Sequence, residues 1–424
     1  MSDYADQRTL RRFYVLRGVG MLANQLLQFA VPVVVFQHTG SIGWLGITLF
    51  VEWVPRLTSL PIAGPLVDHF GVRRVYLVSD LVRCITALGA VAAVRFASEL
   101  VAVAVIVALA LVAGACFEQT FIASEKAVRV IAPPAVMHRA QSVLGGIDQA
   151  MLIAAPALGG LLLIEDISTI ATTGVLFAVS LLLVWSLPEL SGDLVVERRD
   201  GIQVSELLRR ISVGVRRVLG EPILRDIVAI TIVINLLFGL ILAVTPAFVV
   251  DTLQLPSSYV GVLYTAGGLA SLVVLAATPW LIHVFGLLRV GIVSALIACA
   301  AIGVAGLLVG PAAFTALTIV FLVTESVFTV FIRTVRARVV SAAEFAVTTS
   351  VVVLLNFLSM PVAGLLVAAF SRTSLPLPLL YLGTGAASLV ACLIMLAHLA
   401  RLMPQRRGVG RRWLIPAFGD DTPQ

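Results

Sequence analysis

The sequence predicts an all-α integral membrane protein with twelve transmembrane helices in two pseudo-symmetric six-helix bundles. Three observations lead to this fold class: an apolar composition, twelve apolar runs of membrane-spanning length, and a repeat that relates the two halves. Of the 424 residues, 60% are hydrophobic and 12% are charged, at a mean hydropathy of +1.06. Soluble domains carry about 25% charged residues, so this composition excludes an ordinary soluble protein.

Polar breaks divide the chain into twelve runs, each close to the ~20 apolar residues that a membrane helix needs. The first six runs are residues 12–38, 42–67, 73–96, 100–122, 141–164 and 167–187. The second six are residues 224–250, 258–283, 287–309, 313–333, 346–370 and 376–400. We therefore predict an N-terminal bundle over residues 1–187, a cytoplasmic linker over 188–223, and a C-terminal bundle with a basic tail over 224–424. The first run is too long for the core of a signal peptide, so we expect it to be retained.

The basic residues predict the orientation of the spans. The predicted outside loops hold Arg95 and Arg372. Two more arginines, Arg56 and Arg83, lie within spans. The rest of the 29 Lys and Arg residues belong to inside segments. Because basic residues collect on the cytoplasmic side, we predict a multi-pass protein of the inner membrane with both termini in the cytoplasm. The net charge of +6 then follows from these loops, and no nucleic-acid partner is expected.

The predicted linker contains an amphipathic segment, VSELLRRISVGVRRVLGEP. Its apolar positions recur at helical spacing beside an arginine-rich face. Two interpretations remain open: a helix that lies along the anionic inner leaflet, or a solvated linker helix with no lipid contact.

Three pairs of segments indicate that the chain repeats itself. FGVRRV at 70–75 corresponds to FGLLRV at 285–290, FIASEKAVRV from Phe121 to FIRTVRARVV from Phe331, and PALGGLL from Pro156 to PVAGLLV from Pro361. The pairs occur in the same order at nearly constant offset, which indicates two related halves. Parallel halves of this kind enclose a binding site near the middle of the membrane.

One inside loop, GPLVDHFGVRR, resembles the signature loop between spans 2 and 3 of the major facilitator superfamily. The positions that carry the resemblance are Gly64, Asp68, Gly71 and Arg73, followed by Arg74. His69 replaces the usual arginine of that pattern, and the repeat copy has His283 in place of Asp68. The resemblance implies that Asp68 and Arg73 belong to a charge cluster that latches the cytoplasmic side shut.

More narrowly, HTGS at 38–41 and APALGGLL in span 5 resemble the efflux branch that holds enterobactin-type siderophore exporters and macrolide-efflux proteins. This resemblance implies a secondary transporter that exports a siderophore or drug-like compound against protons, as a monomer and without a cofactor. A metal-ion exporter of the ferroportin type is disfavoured, because such proteins carry an acidic residue near the position of Asn24. An importer with the same fold, and a sensor or scaffold that transports nothing, remain alternatives.

Charged residues inside the spans need a partner or a purpose, because each costs about 2.5–3.5 kcal/mol at the bilayer centre. Glu52 and Arg56 lie one helical turn apart on span 2, so they share a face. They form either a self-neutralising pair that braces the span or a pair for gating and proton coupling. Asp80 and Arg83, on span 3, are expected to form a bracing pair beside the latch.

Glu325 is the preferred candidate for carrying protons. It lies midway along span 10 in FLVTESVFTVFIR, with no basic residue within a turn. A buried carboxyl without a cation favours its protonated form, although a structural hydrogen bond to another helix is the alternative. Asp148 and Glu118 are also carboxylates within predicted spans. Two interpretations of each remain open. The residue forms a structural ion pair with Arg83, Arg129 or Arg139, or it takes part in proton coupling.

Uncharged polar residues complete the predicted substrate site, since the resemblance implies that spans 1, 4, 7 and 10 line the cavity. The candidates are Asn24, Gln28, Gln119, Asn235 and Glu325, with Asn356 on span 11 and with Phe238 and Tyr264 as an apolar wall. Carboxylates and amides with few cations suit a neutral, cationic or polar chelating substrate.

Several missing motifs also restrict the function. The sequence has no G-x-x-x-x-G-K-[ST] loop for ATP and no H-E-x-x-H or G-x-S-x-G pattern for hydrolysis, so we do not expect an enzyme. The five histidines are scattered and predict no metal cluster. All four cysteines lie in apolar runs without paired spacing, so we expect packing residues rather than a disulfide or a zinc site.

Overall fold

The computed structural model describes residues 2–132, 137–162, 168–187, 204–308, 310–339 and 345–402. All regular structure within these ranges is helical. Helices suit a chain of this hydropathy, because each helix satisfies its own backbone hydrogen bonds where no water is available.

The helices of the first sequence half are α1 (Ser2–Thr39), α2 (Ile42–Phe70), α3 (Val72–Phe96), α4 (Glu99–Ile131), α5 (Met137–Leu162) and α6 (Ser168–Trp185). Helix α7 (Val204–Gly220) precedes the second half. The helices that follow are α8 (Pro222–Ala247, extended by a π-helical turn Phe248–Thr252), α9 (Tyr259–Phe285), α10 (Leu287–Ala305), α11 (Pro311–Val339), α12 (Phe345–Phe357), α13 (Ser359–Phe370) and α14 (Leu377–Leu402).

Eleven segments among the described residues are long and apolar enough to cross a membrane. Helix α2 is not among them, although it has 29 residues, because Glu52, Arg56 and Asp68 interrupt its apolar sequence. The predicted eleventh span is built from α12 and α13, with Leu358 between them. With α2 included, the described helices are consistent with the twelve predicted spans.

The described helices form two compact units. Unit 1 consists of Met1–Val204, Ala243–Thr265 and Ala363–Arg372, and unit 2 consists of Ser205–Leu242, Ala266–Val362 and Thr373–Gln424. Unit 1 therefore contains the six helices of the first predicted bundle and two segments of the second sequence half. The bundle boundaries read from the sequence stay a prediction.

Helix α7 confirms the predicted helical character of the amphipathic segment from Val204 onward. Within unit 2 its apolar face packs on α12: a Cβ on Gly214 would lie 2.4 Å from Val351, and Val218 shares a buried cluster with Val351 and Val352. Residues 188–203 of the predicted linker lie outside the described residues. Contact of the opposite face with lipid stays a prediction.

Helices α2 and α4 pack in parallel in a constant register. A Cβ on Gly114 would lie 2.0 Å from the carbonyl oxygen of Glu52, so at this level the two backbones touch. Only glycine allows so close an approach, since any larger residue needs the helices to separate. One turn further along each helix, Arg56 lies beside Glu118, and two turns beyond that Gly64 lies beside Lys126. This register places the charged residues of α2 opposite those of α4.

Candidate transport site

Arg56 and Glu118 form a buried ion pair between α2 and α4. Arg56 Nε donates a hydrogen bond to Glu118 Oε1 at 2.6 Å, and both side chains are almost completely buried. The pair follows from the Gly114 contact, because two helices in backbone contact leave little space between side chains one turn away. The ion-pair partner that the structure gives Arg56 is thus on another helix, whereas the sequence favoured Glu52 on the same helix.

Two aromatic rings hold the Arg56 guanidinium in addition to Glu118. Its central carbon lies 3.7 Å from the ring centroid of Phe117 and 4.3 Å from that of Trp53. Arginine is suited to such a site, because its planar group binds a carboxylate through its edge and aromatic rings through its faces. Arg56 is therefore fixed in place by three neighbours.

A second buried ion pair joins α1 to α5. Arg17 Nε and Nη2 donate to the two carboxylate oxygens of Asp148, each at 2.8 Å. The predicted partners of Asp148 and Glu118, namely Arg83, Arg129 and Arg139, are not the partners that the structure gives them. Sequence reasoning missed Arg17, because it counted this residue with the basic inner segments. Its position more than one turn inside the first apolar run was the available signal.

The predicted pairing of Asp80 with Arg83 is confirmed. Arg83 Nη2 donates to Asp80 Oδ1 at 2.5 Å, and Ser180 Oγ on α6 donates to Asp80 Oδ2 at 2.6 Å. The Arg83 guanidinium lies 4.5 Å from the ring centroid of Phe177. The pair therefore braces α3 against α6, and its connection with the latch stays a prediction.

Glu52 faces a small cavity in unit 1. The cavity has room for about one water molecule and is lined by Asn24, Leu27, Gln28, Val31, Glu52, Arg56, Ala110, Ala113, Gly114 and Phe117. The structure thus brings together the predicted substrate residues Asn24 and Gln28 with the predicted coupling residue Glu52. A buried carboxylate and two amides can bind a proton, a water molecule or a polar cationic group.

A second cavity of similar size adjoins these residues. Its lining is Arg17, Gly20, Met21, Asn24, Tyr76, Arg83, Phe117 and Thr120. Asn24 and Phe117 lie in the walls of both cavities. Asn24 therefore borders both the cavity that Glu52 lines and the cavity that Arg17 and Arg83 line.

The candidates in unit 2 do not line these cavities. Glu325 on α11 accepts a hydrogen bond from Thr329 Oγ1 of its own helix at 2.9 Å. Asn235 on α8 donates to the Thr231 carbonyl at 3.0 Å, also within its own helix. Phe238 lies on the same helix and Asn356 is buried on α12. Their convergence with Asn24 and Gln28 stays a prediction.

The other two candidates of unit 1 have neighbours outside the Glu52 cavity. Gln119 Nε2 donates to the Ser59 carbonyl at 3.5 Å. Tyr264 packs edge-on against Phe29 with ring centroids 6.3 Å apart. Both contacts are consistent with packing between helices, and binding of substrate by these residues stays a prediction.

The predicted latch loop contacts α4 and α6 within unit 1. Asp68 forms an ion pair with Lys126 of α4, whose Nζ also donates to the Gly64 carbonyl at 3.0 Å. Arg73 Nη2 donates to the Trp185 carbonyl at 3.2 Å. Gly71, with φ of +80°, provides the turn between α2 and α3, which explains the glycine at this position. No contact described here assigns a role to Arg74.

Sequence reasoning missed Lys126, although the internal repeat contained a signal. FIASEKAVRV and FIRTVRARVV place Lys126 and Arg336 at equivalent positions, so both copies carry a cation there.

The described residues contain no group of three or more side chains able to hold a metal ion.

Comparison with known proteins decides the family. The model of the Major Facilitator Superfamily matches residues 13–362. The chain belongs to the major facilitator superfamily. This confirms the predicted family and, with the described helices, the predicted fold class, and it indicates a transporter rather than an enzyme.

One curated relative is the multidrug efflux pump Tap of Mycolicibacterium fortuitum. It is 30% identical over 219 residues, which cover 50% of this chain and 52% of Tap. The match thus spans about half the length of this relative. It supports a relation to multidrug efflux pumps, but it shows neither the substrate nor the direction of transport of this chain.

Solved structures of similar fold belong to transporters of several substrates. A mutant form of the nucleoside transporter NupG has a TM-score of 0.72 at 12% identity and covers 92% of this chain and 99% of its own. A bacterial homologue of the iron transporter ferroportin, in its inward-facing state, has a TM-score of 0.72 at 16% identity, over 93% and 98% of the two chains. A D-xylose-proton symporter has a TM-score of 0.69 at 14% identity, over 91% and 96%. These likenesses show the fold alone.

Proposed function

We propose that this transporter exports a drug-like small molecule in exchange for protons, and that Glu52 is the carboxylate that binds and releases the proton. The observation that supports this most directly is the charge balance of α1 to α6. Three arginines pair with three carboxylates in the interior of these helices: Arg17 with Asp148, Arg56 with Glu118 and Arg83 with Asp80. Glu52 is a fourth carboxylate, and it lines a cavity.

An excess carboxylate in an apolar interior needs a positive partner or a proton. Sequence reasoning preferred Glu325, because a permanent ion pair with Arg56 would make Glu52 a poor proton carrier. In the structure Arg56 donates to Glu118 and is held by two rings. We therefore place the main proton site at Glu52 and keep Glu325 as the alternative site.

The cargo is inferred from the residues beside Glu52. Asn24 and Gln28 supply amide groups, while Leu27 and Val31 supply an apolar wall. This mixture suits a drug-like molecule with a polar or cationic group, and the similarity to a multidrug efflux pump points to the same class. A siderophore is a second cargo of the proposal, and we place the protein in the inner membrane as a monomer.

The proposal is tested by transport in proteoliposomes with an imposed pH gradient. A panel of drugs, siderophores and metal ions is offered, and proton movement is followed with a trapped pH-sensitive dye. We expect Glu52→Gln to reduce proton-linked flux at least ~100-fold, the lower end of the loss typical of a positioned proton-transfer group. Substrate exchange without a pH gradient should persist, since it needs no net proton transfer.

Glu325→Gln is the matched control, because it makes the same change in the other buried candidate. Loss of coupling in Glu325→Gln with normal coupling in Glu52→Gln would reverse the assignment. If no compound of the panel moves with protons, proton-coupled export is wrong. Flux that runs inward only would favour an importer.

A further inference from the structure

Two cysteines of unit 2 are in direct contact. The sulfur atoms of Cys299 on α10 and Cys392 on α14 lie 3.6 Å apart, and both side chains are fully buried. The two residues are 93 positions apart in the sequence. Their contact therefore comes from the packing of α10 against α14, which spacing in the sequence does not reveal.

Glycines explain why these sulfurs meet. A Cβ on Gly385 of α14 would lie 2.2 Å from the backbone nitrogen of Gly303 on α10, so the two backbones touch there. At the next level, a Cβ on Gly306 would lie 2.4 Å from the Pro378 carbonyl. A disulfide usually has its Cα atoms about 4.4–6.8 Å apart, a separation that helices reach only when they pack closely.

We propose that Cys299 and Cys392 form a redox-active dithiol, which a lipid-soluble quinone oxidises to an intramolecular disulfide. Two S–H bonds break and one S–S bond forms. The two electrons and two protons pass to the quinone, which becomes the hydroquinone. The sulfurs move from their present contact to the bonded distance of about 2.05 Å, which small side-chain rotations on fixed helices provide.

The surroundings of the pair select the oxidant. Val293 and Ile297 on α10, and Val390, Leu393 and Ile394 on α14, are exposed apolar side chains close in sequence to the two cysteines. On membrane-spanning helices such side chains face the hydrocarbon of the bilayer. A lipid-soluble oxidant can therefore accumulate at the outer faces of α10 and α14 near the two thiols, whereas a charged oxidant is excluded from that hydrocarbon.

The other two cysteines provide a control within the same molecule. Cys84 on α3 and Cys116 on α4 also lie on apolar helices, and all four cysteines are free thiols. Both lie within the described part of the chain, where no sulfur–sulfur contact involves either of them. They differ from Cys299 and Cys392 in having no second sulfur in contact among the described residues, and the proposal depends on that contact.

The test treats the full chain in lipid nanodiscs with decylubiquinone or, separately, with the anionic oxidant hexacyanoferrate(III). Remaining thiols are alkylated, and the protein is digested without reduction for mass spectrometry. We expect a peptide that links Cys299 to Cys392 and a protein that is lighter by two hydrogen atoms. Reaction with the quinone should be at least about tenfold faster than with the anion.

Cys392→Ser should abolish the linked peptide, while Cys84 and Cys116 should remain open to alkylation in both proteins. Absence of the linked peptide in the unaltered chain would overturn the proposal. So would linkage to Cys84 or Cys116, or faster oxidation by the anion. None of these measurements depends on transport, so the outcome is separate from that of the proposed export.

Discussion

The interior of helices α1 to α6 and the interior around α11 handle charge in different ways. The first region holds three buried arginines, each with a carboxylate on another helix or one turn away, and an additional carboxylate at Glu52. Around α11, Glu325 accepts a hydrogen bond from a threonine of its own helix. The predicted repeat between the two sequence halves therefore does not extend to these buried charges. Among the described residues, the arginine–carboxylate pairs of the interior lie in α1 to α6, which is consistent with the proposed proton site at Glu52.

The largest change in stability is expected when a buried ion pair of α1 to α6 loses one of its two partners. Arg56→Met leaves Glu118 charged and without its cation, which should lower the free energy of unfolding by about 3–5 kcal/mol. The double variant Arg56→Met with Glu118→Met removes both charges and should recover most of this loss. Thermal and denaturant unfolding in nanodiscs measure both variants, and the single variant Glu118→Met completes the double-mutant cycle.

Equal losses in the single and the double variant would show that Arg56 stabilises the protein by packing alone. The contrast between the two regions would then not rest on charge.

A smaller effect is expected from the glycine that sets the register of α2 and α4. Gly114→Ala places a methyl group 2.0 Å from the Glu52 carbonyl oxygen, which should cost about 1–3 kcal/mol by separating the helices. Gly89→Ala on α3 is the matched control, since nothing lies within 4 Å of its Cβ. Removal of a mid-helix glycine there should stabilise by about 0.5–1 kcal/mol.

The measurement is the unfolding temperature of the two variants against the unaltered protein. Shifts of opposite sign are expected, and two shifts in the same direction would contradict the proposed backbone contact.

The last comparison takes one hydroxyl from each region, and the smallest effect is expected for the hydroxyl on α11. Ser180→Ala removes a donor to the buried Asp80 carboxylate, which should cost about 1.5–3 kcal/mol because the acceptor is charged. Thr329→Val removes the donor to Glu325 and should cost about 0.5–1.5 kcal/mol if that carboxyl is neutral. Unfolding of both variants in the same nanodiscs gives the two losses in the free energy of unfolding, which are then compared. A larger cost for Thr329→Val would indicate an ionised Glu325 and weaken the contrast.

Much of the fold could be predicted from the sequence because hydropathy and the repeat are local signals. The spans, the turn at Gly71 and the pairing of Asp80 with Arg83 depend on neighbours a few residues apart. The partners of Arg56 and Asp148 could not be predicted in this way. They depend on which helices touch, and at Gly114 the backbones of α2 and α4 approach more closely than any larger residue would allow.

The sequence by itself determined a helical membrane protein of the major facilitator superfamily, because composition, span length and the loop from Gly64 to Arg74 need no tertiary information. It also selected Glu52, Glu118 and Asp148 as charges that need an explanation. Only the tertiary structure decided that Arg56 pairs with Glu118 and Arg17 with Asp148, and that Glu52 lines a cavity beside Arg56. The physical reason is that a buried charge is stabilised by whatever packing places within hydrogen-bond distance, and helix register sets that distance.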